Sequence, residues 1–173
     1  MIDLAGALGA PIIIGSMQGR WEGGVSREQA LGWFREAVEE LASRAAAHHT
    51  GILIESLNRY ETNLLTCVDD ALHFLTAVGA NNVQLLCDLF HMNIEEASIA
   101  DSLRKAGSRL GHVHFVDSNR RAVGAGHTEI QPIAQALREI GYTGYISAEI
   151  LPWPDSETAA AQSIASFRRW FRN

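Results

Sequence analysis

Two hydrophobic periods take turns along this chain. Short, continuous apolar runs are each followed by a polar loop, then by a longer stretch with apolar residues at helical spacing. Met1 to Leu8 reads as the end of a helix closed by Gly9, and Pro11 to Ile14 as a buried β-branched strand. A loop with four glycines follows, from Gly15 to Gly24. Ser26 opens a helix that runs to about Ala47. Gln29 stands three residues on, as in a capping box, and Ala30, Phe34, Val38 and Leu41 follow at helical spacing. The unit then recurs. Gly51 to Ile54 is a strand ending in Glu55, with a helix from Thr66 to Val78. Val83 to Cys87 is a strand ending in Asp88, with loop residues His91, Met92 and Asn93 and a helix from Ile94 to Ala106. Leu110 to Phe115 is a strand, with a helix from Glu129 to Ile140. Tyr145 to Ala148 is a strand ending in Glu149, with a last helix from Ser156 to Phe171. No hairpin signal interrupts this order. Strands that alternate with helices predict parallel pairing through right-handed crossovers, and one domain over residues 1–173.

Composition narrows the class. Apolar residues make up 47% and charged residues 20% of the 173 positions, as in ordinary globular proteins. A net charge of −6 gives no electrostatic footprint for nucleic acid or an anionic membrane surface. No apolar run reaches spanning length, and no basic leader opens the chain. Cys67 and Cys87 lie in apolar surroundings without C-x-x-C spacing, which predicts reduced thiols in a cytoplasmic protein.

The strand ends carry the chemistry. Glu55, Asp88, His114 and Glu149 close four consecutive strands, and in parallel α/β folds functional groups gather at that end. A single carboxylate there is usually a helix cap, but four ligand-type residues at equivalent positions point to a shared site. Three carboxylates and one imidazole suit a divalent cation, Mn²⁺ first, with Mg²⁺, Co²⁺ or Zn²⁺ as alternatives. His112 shares a strand face with His114 and would orient a ligand from behind. His91, Glu61 and Arg120 lie in the adjoining loops. Each also has an ordinary reading: a loop histidine, a surface pair with Arg59, a solvated turn with Arg121. His48, His49 and His73 fall on helices or helix ends facing solvent.

These segments resemble a known family. Ile54-Glu55-Ser56-Leu57-Asn58-Arg59-Tyr60-Glu61, Cys87-Asp88-Leu89-Phe90-His91-Met92-Asn93, Gly111-His112-Val113-His114 with Asn119-Arg120, and Ala148-Glu149 are similar in order and spacing to the sugar isomerases and epimerases with the xylose isomerase-like barrel. Ketose 3-epimerases and hydroxypyruvate isomerases are the most alike. The resemblance implies metal ligation by Glu55, Asp88, His114 and Glu149. It implies acid/base roles for Glu55 and Glu149, and substrate contacts for Glu61, His91 and Arg120. The implied reaction is ketose 3-epimerisation of a small sugar or keto-acid through a metal-stabilised enediolate. Aldose–ketose isomerisation of the hydroxypyruvate isomerase type and a non-catalytic metal-binding remnant are the alternatives. Asp117-Ser118 departs from the Glu-Ala pair frequent in ketose epimerases, which leaves the substrate open.

Length is the main departure. Barrels of this family have eight βα units in about 250 residues, whereas five units are legible here. The expected fold is therefore a partial (β/α) TIM barrel, five parallel βα units corresponding to the C-terminal part of a (β/α)8 barrel, with Met1 a plausible start. An open barrel exposes its edge strands and apolar inner faces, which predicts a homodimer or higher homo-oligomer covering the open side.

Overall fold

A computed structural model describes residues 1–171; positions 172 and 173 of the expected domain lie outside it. Helix α1 (Ile2–Leu8) precedes strand β1 (Ile12–Ile14). The remaining elements are α2 (Arg27–Ala47), β2 (Ile52–Glu55), α3 (Val68–Val78), β3 (Val83–Asp88), α4 (Leu89–Glu95), α5 (Ile99–Ala106), β4 (Leu110–His114), α6 (Ile130–Glu139), β5 (Tyr145–Ser147) and α7 (Ser156–Phe171). The strands form one parallel sheet in the order β1-β2-β3-β4-β5, so each βα unit lies beside the next, as in a sector of a barrel.

Local chemistry explains the elements. Ser26 accepts from the Gln29 amide and the Gln29 side chain accepts from the Ser26 amide, so the predicted capping box starts α2. Ala30, Phe34, Val38, Ala42 and Ala45 line its buried face, and Phe34 stacks on Phe74 of α3 with ring centroids 4.7 Å apart. The core lies between sheet and helices. Ile14, Ile52, Ile54, Val83, Leu85, Cys87, Leu110 and Val113 supply the strand side.

The opposite, concave face carries the site. A register shift between Leu85 and Leu86 leaves Gly111 as an extra residue in β4, after which His112 and His114 pair with Leu86 and Asp88. A Cβ on Gly111 would come 2.9 Å from Gln84 Cβ as well as 2.7 Å from Leu53 Cδ2, so glycine fits the bulge without displacing its neighbours.

Two expectations are corrected. His91, Met92 and Asn93 are not in a loop: they belong to α4, which starts directly at the end of β3. The single helix expected from Ile94 to Ala106 is two, broken at Glu96. The Glu96 carboxylate accepts from the Val68 amide at the start of α3 and from the Ser102 hydroxyl, while Ser98 caps α5. The open edges are as expected, with Tyr145 of β5 85% exposed and Ile13 of β1 38% exposed. The inner face is less open than expected: Leu53 and Leu86, two residues before Glu55 and Asp88 on the same face, are buried.

Candidate metal centre

The four predicted ligands do converge, with one ligand atom from each of Glu55, Asp88, His114 and Glu149 lying within 4.8 Å of all the others. They are not level in the sheet. Glu55 pairs with Leu86, Asp88 with His114, and His114 with Ser147, so Glu55 and Glu149 each stand two residues out of step. Barrel strands are staggered, and a step of two keeps a side chain on the same face.

His114 Nδ1 is the centre of the cluster. It lies 2.8 Å from Glu149 Oε2, 3.0 Å from Asp88 Oδ2 and 3.4 Å from Glu55 Oε1. One ring nitrogen offers one proton at most, so it cannot serve three carboxylates. Burial opposes a charge on His114, but the Asp88 and Glu55 carboxylates outweigh it and lift its pKa to about 9. Asp88 is held below the ordinary carboxylate range: burial pushes up, and the His114 and Arg120 contacts pull down further. Glu55 Oε1 is buried with no hydrogen-bond partner, and Glu55 Oε2 lies so close to Gly15 that a Cβ there would meet it at 2.6 Å. A buried carboxylate oxygen without a donor is costly unless a cation takes the place of one. The residues present therefore fit a divalent cation held by oxygen and nitrogen.

Asp88 plays two roles on two oxygens. Oδ1 caps α4 by accepting from the Phe90 and His91 amides, and Oδ2 faces His114 and Arg120. Arg120 extends over the cluster. Its guanidinium bonds Asp88 Oδ2 at 2.7 Å and Glu149 Oε2 at 2.8 Å and lies over the Phe90 ring. Arg120 adopts φ 61°, a conformation costly for a residue with a Cβ.

Asp117 holds that conformation. Its buried carboxylate accepts from the amides of Ser118, Gly124 and Thr128, and these with Gly126 hold its pKa low despite burial. The Gly124 and Gly126 amides are thus turned inward onto this carboxylate, while the Ala125 amide bonds the Ala122 carbonyl.

His91 is buried beside Asn58, and Glu61 Oε1 accepts from the Asn58 side chain at 3.0 Å. Arg59 pairs with Glu95 rather than with Glu61. His112 is half-buried, meets His114 edge-on with ring centroids 5.3 Å apart and shares a hydrogen bond with Ser147, so it contacts His114 through its ring alone. His127 bonds Ser118, and Asn93 bonds Leu89 and Thr128. Sequence reasoning missed Gln18, which is buried and ties the Glu55 carbonyl to the Leu65 amide. It also missed Phe90 and the role of Asn58. A polar residue just after an apolar strand was the only signal for Gln18.

A staggered parallel sheet with carboxylates and imidazole converging at its C-terminal edge is the arrangement of a barrel whose strand ends could hold a metal ion. The model of the xylose isomerase-like TIM barrel family matches residues 1–170, and the chain belongs to that family. It is similar to the D-psicose 3-epimerase of Enterocloster bolteae, with 42% identity over 107 residues, covering 62% of this chain and 36% of that protein. The L-ribulose 3-epimerase of a Methylomonas species is 37% identical over 150 residues, 85% of this chain and 52% of the relative. The crystal structure of D-allulose 3-epimerase from Methylomonas sp. in complex with D-allulose superposes with a TM-score of 0.89 at 30% identity, over 98% of this chain and 66% of that one. The matches thus span about a third to a half of these curated relatives' length.

Proposed function

We propose that this chain carries the active site of a divalent-metal-dependent ketose 3-epimerase acting on a small sugar. The convergence of four ligand atoms around a buried, partnerless Glu55 oxygen carries the reading. Glu55, Asp88, His114 and Glu149 would hold the cation, Mn²⁺ being our choice, and its positive charge would acidify the C–H next to the ketose carbonyl. Glu55 and Glu149 come from opposite sides of the cluster, as a two-base exchange needs. One takes the C3 proton, and its electron pair moves into a C2–C3 double bond with charge on O2. The other returns a proton to the opposite face of C3 and inverts it. Arg120 and His91 donate to substrate oxygens, and Glu61 accepts from a hydroxyl. The exposed β1 and β5 edges support a homodimer, and the free thiols of Cys67 and Cys87 support a reducing, cytoplasmic setting.

The test is incubation with Mn²⁺ and D-psicose or D-fructose in D₂O. Epimerised product with deuterium at C3 is expected. An aldose product with deuterium at C2 would instead mean an aldose–ketose isomerase. Stoichiometric Mn²⁺ binding without any exchange would mean a metal-binding remnant.

A further inference from the structure

The protons around His91 are decided by backbone amides, which can only donate. The Tyr60 amide donates to Asn58 Oδ1 at 3.0 Å, so the amide nitrogen Nδ2 lies on the other side. Nδ2 has two protons and two acceptors: Glu61 Oε1 at 3.0 Å and His91 Nδ1 at 2.7 Å. The Asn58 backbone amide also donates to His91 Nδ1, at 3.2 Å. Two donors converge on Nδ1, so that nitrogen carries the lone pair and the proton sits on Nε2. Asn58 and His91 are 2% and 3% exposed, so water does not compete for these bonds. Glu61 Oε1 is 3.8 Å from Nδ1, beyond hydrogen-bond reach, and is held through Asn58 instead.

We infer that Asn58 is a positioning residue that fixes His91 as an Nε2–H donor and Glu61 as an acceptor on one side of the carboxylate cluster. Through one amide, Asn58 makes the two neighbours complementary. His91 Nε2 has no protein partner among the described residues, and its proton is offered to a ligand oxygen. Glu61 is offered to a ligand hydroxyl. A ligand with an acceptor oxygen and a hydroxyl donor close together, as in a polyol or a ketose, satisfies both. The functional half of this inference rests on the epimerase reading; the proton assignment does not.

The test is a ring ¹⁵N–¹H correlation spectrum of metal-free protein labelled with ¹⁵N-histidine. The His91 signals are identified by their loss in His91→Gln. In the parent protein His91 is expected to show a protonated Nε2 and an unprotonated Nδ1. Asn58→Asp replaces the donor at 2.7 Å with an acceptor, and should move the His91 proton to Nδ1. With Mn²⁺ and D-psicose, Asn58→Asp should lower kcat/KM by roughly tenfold or more, mainly through KM, as expected for a misdirected hydrogen bond to a charged or polar ligand group. If circular dichroism shows that Asn58→Asp does not fold, Asn58→Ala serves. It should lower the Nε2–H population relative to the parent. A parent His91 protonated at Nδ1, or an unchanged ring spectrum in the folded variant, would overturn the inference. If the parent protein does not epimerise ketoses, the epimerase reading fails while the spectrum still decides the role of Asn58.

Discussion

The cluster has a buried half and an open half. Glu55, Asp88 and His114 stand on β2, β3 and β4, each strand flanked on both sides, and all three are buried. Glu149 follows the edge strand β5, and its side chain is 54% exposed. The first three are held by the sheet before any ligand arrives. Glu149 is held mainly by what it bonds, His114 and Arg120. Rigidity here comes from having a strand on each side, and the edge strand supplies the adjustable carboxylate.

The largest way to break this contrast is to empty the centre. Ile54→Ala in β2, fully buried, is expected to cost about 2–5 kcal/mol in chemical denaturation. At the site itself, Asp88→Asn should weaken Mn²⁺ binding in calorimetry by more than the roughly 10–100-fold typical of a lost outer partner. Glu149→Gln should weaken it less. Equal losses would mean that the two halves are equally organised.

Asp117→Asn should cost about 2 kcal/mol, since an amide places a donor against backbone donors. The sign with pH follows from the lowered pKa. Asp117 stabilises the fold fully above its unfolded value, about 3.9, and this contribution is lost as pH falls through the lower folded value. The variant should therefore show a flatter loss of stability below about pH 4 than the parent. The smallest effect is expected at the edge. Tyr145→Ala should change stability by no more than about 0.5 kcal/mol, while shifting any dimer seen by light scattering toward monomer. A large loss in dilute, monomeric protein would show that the edge is structural.

Much of this was legible in the sequence because it depends on periodicity. All five strands, the α2 capping box, and the shared face of His112 and His114 follow from alternation and local caps. What was not legible depends on contacts distant in the chain. Glu96 breaks a helical run because its carboxylate is taken by the Val68 amide, 28 residues away. Asp88 begins a helix with no intervening loop, which a strand-then-loop reading cannot anticipate. At the site, residue types pointed to the four side chains that converge, but not to their two-residue stagger, which belongs to the register of the sheet. Asn58 acts on His91, 33 residues away, and Asp117 acts through backbone amides, which leave no trace in residue type.

Arg120 gives the centre a further property. Its guanidinium already occupies Asp88 Oδ2 and Glu149 Oε2, the oxygens a divalent ion would claim. Loading by such an ion would be an exchange of one cation for another, not the filling of a vacancy. Its affinity would be a difference between two attractions, and the arginine set free would become available to a ligand. Ion uptake and ligand capture would then be linked through one side chain.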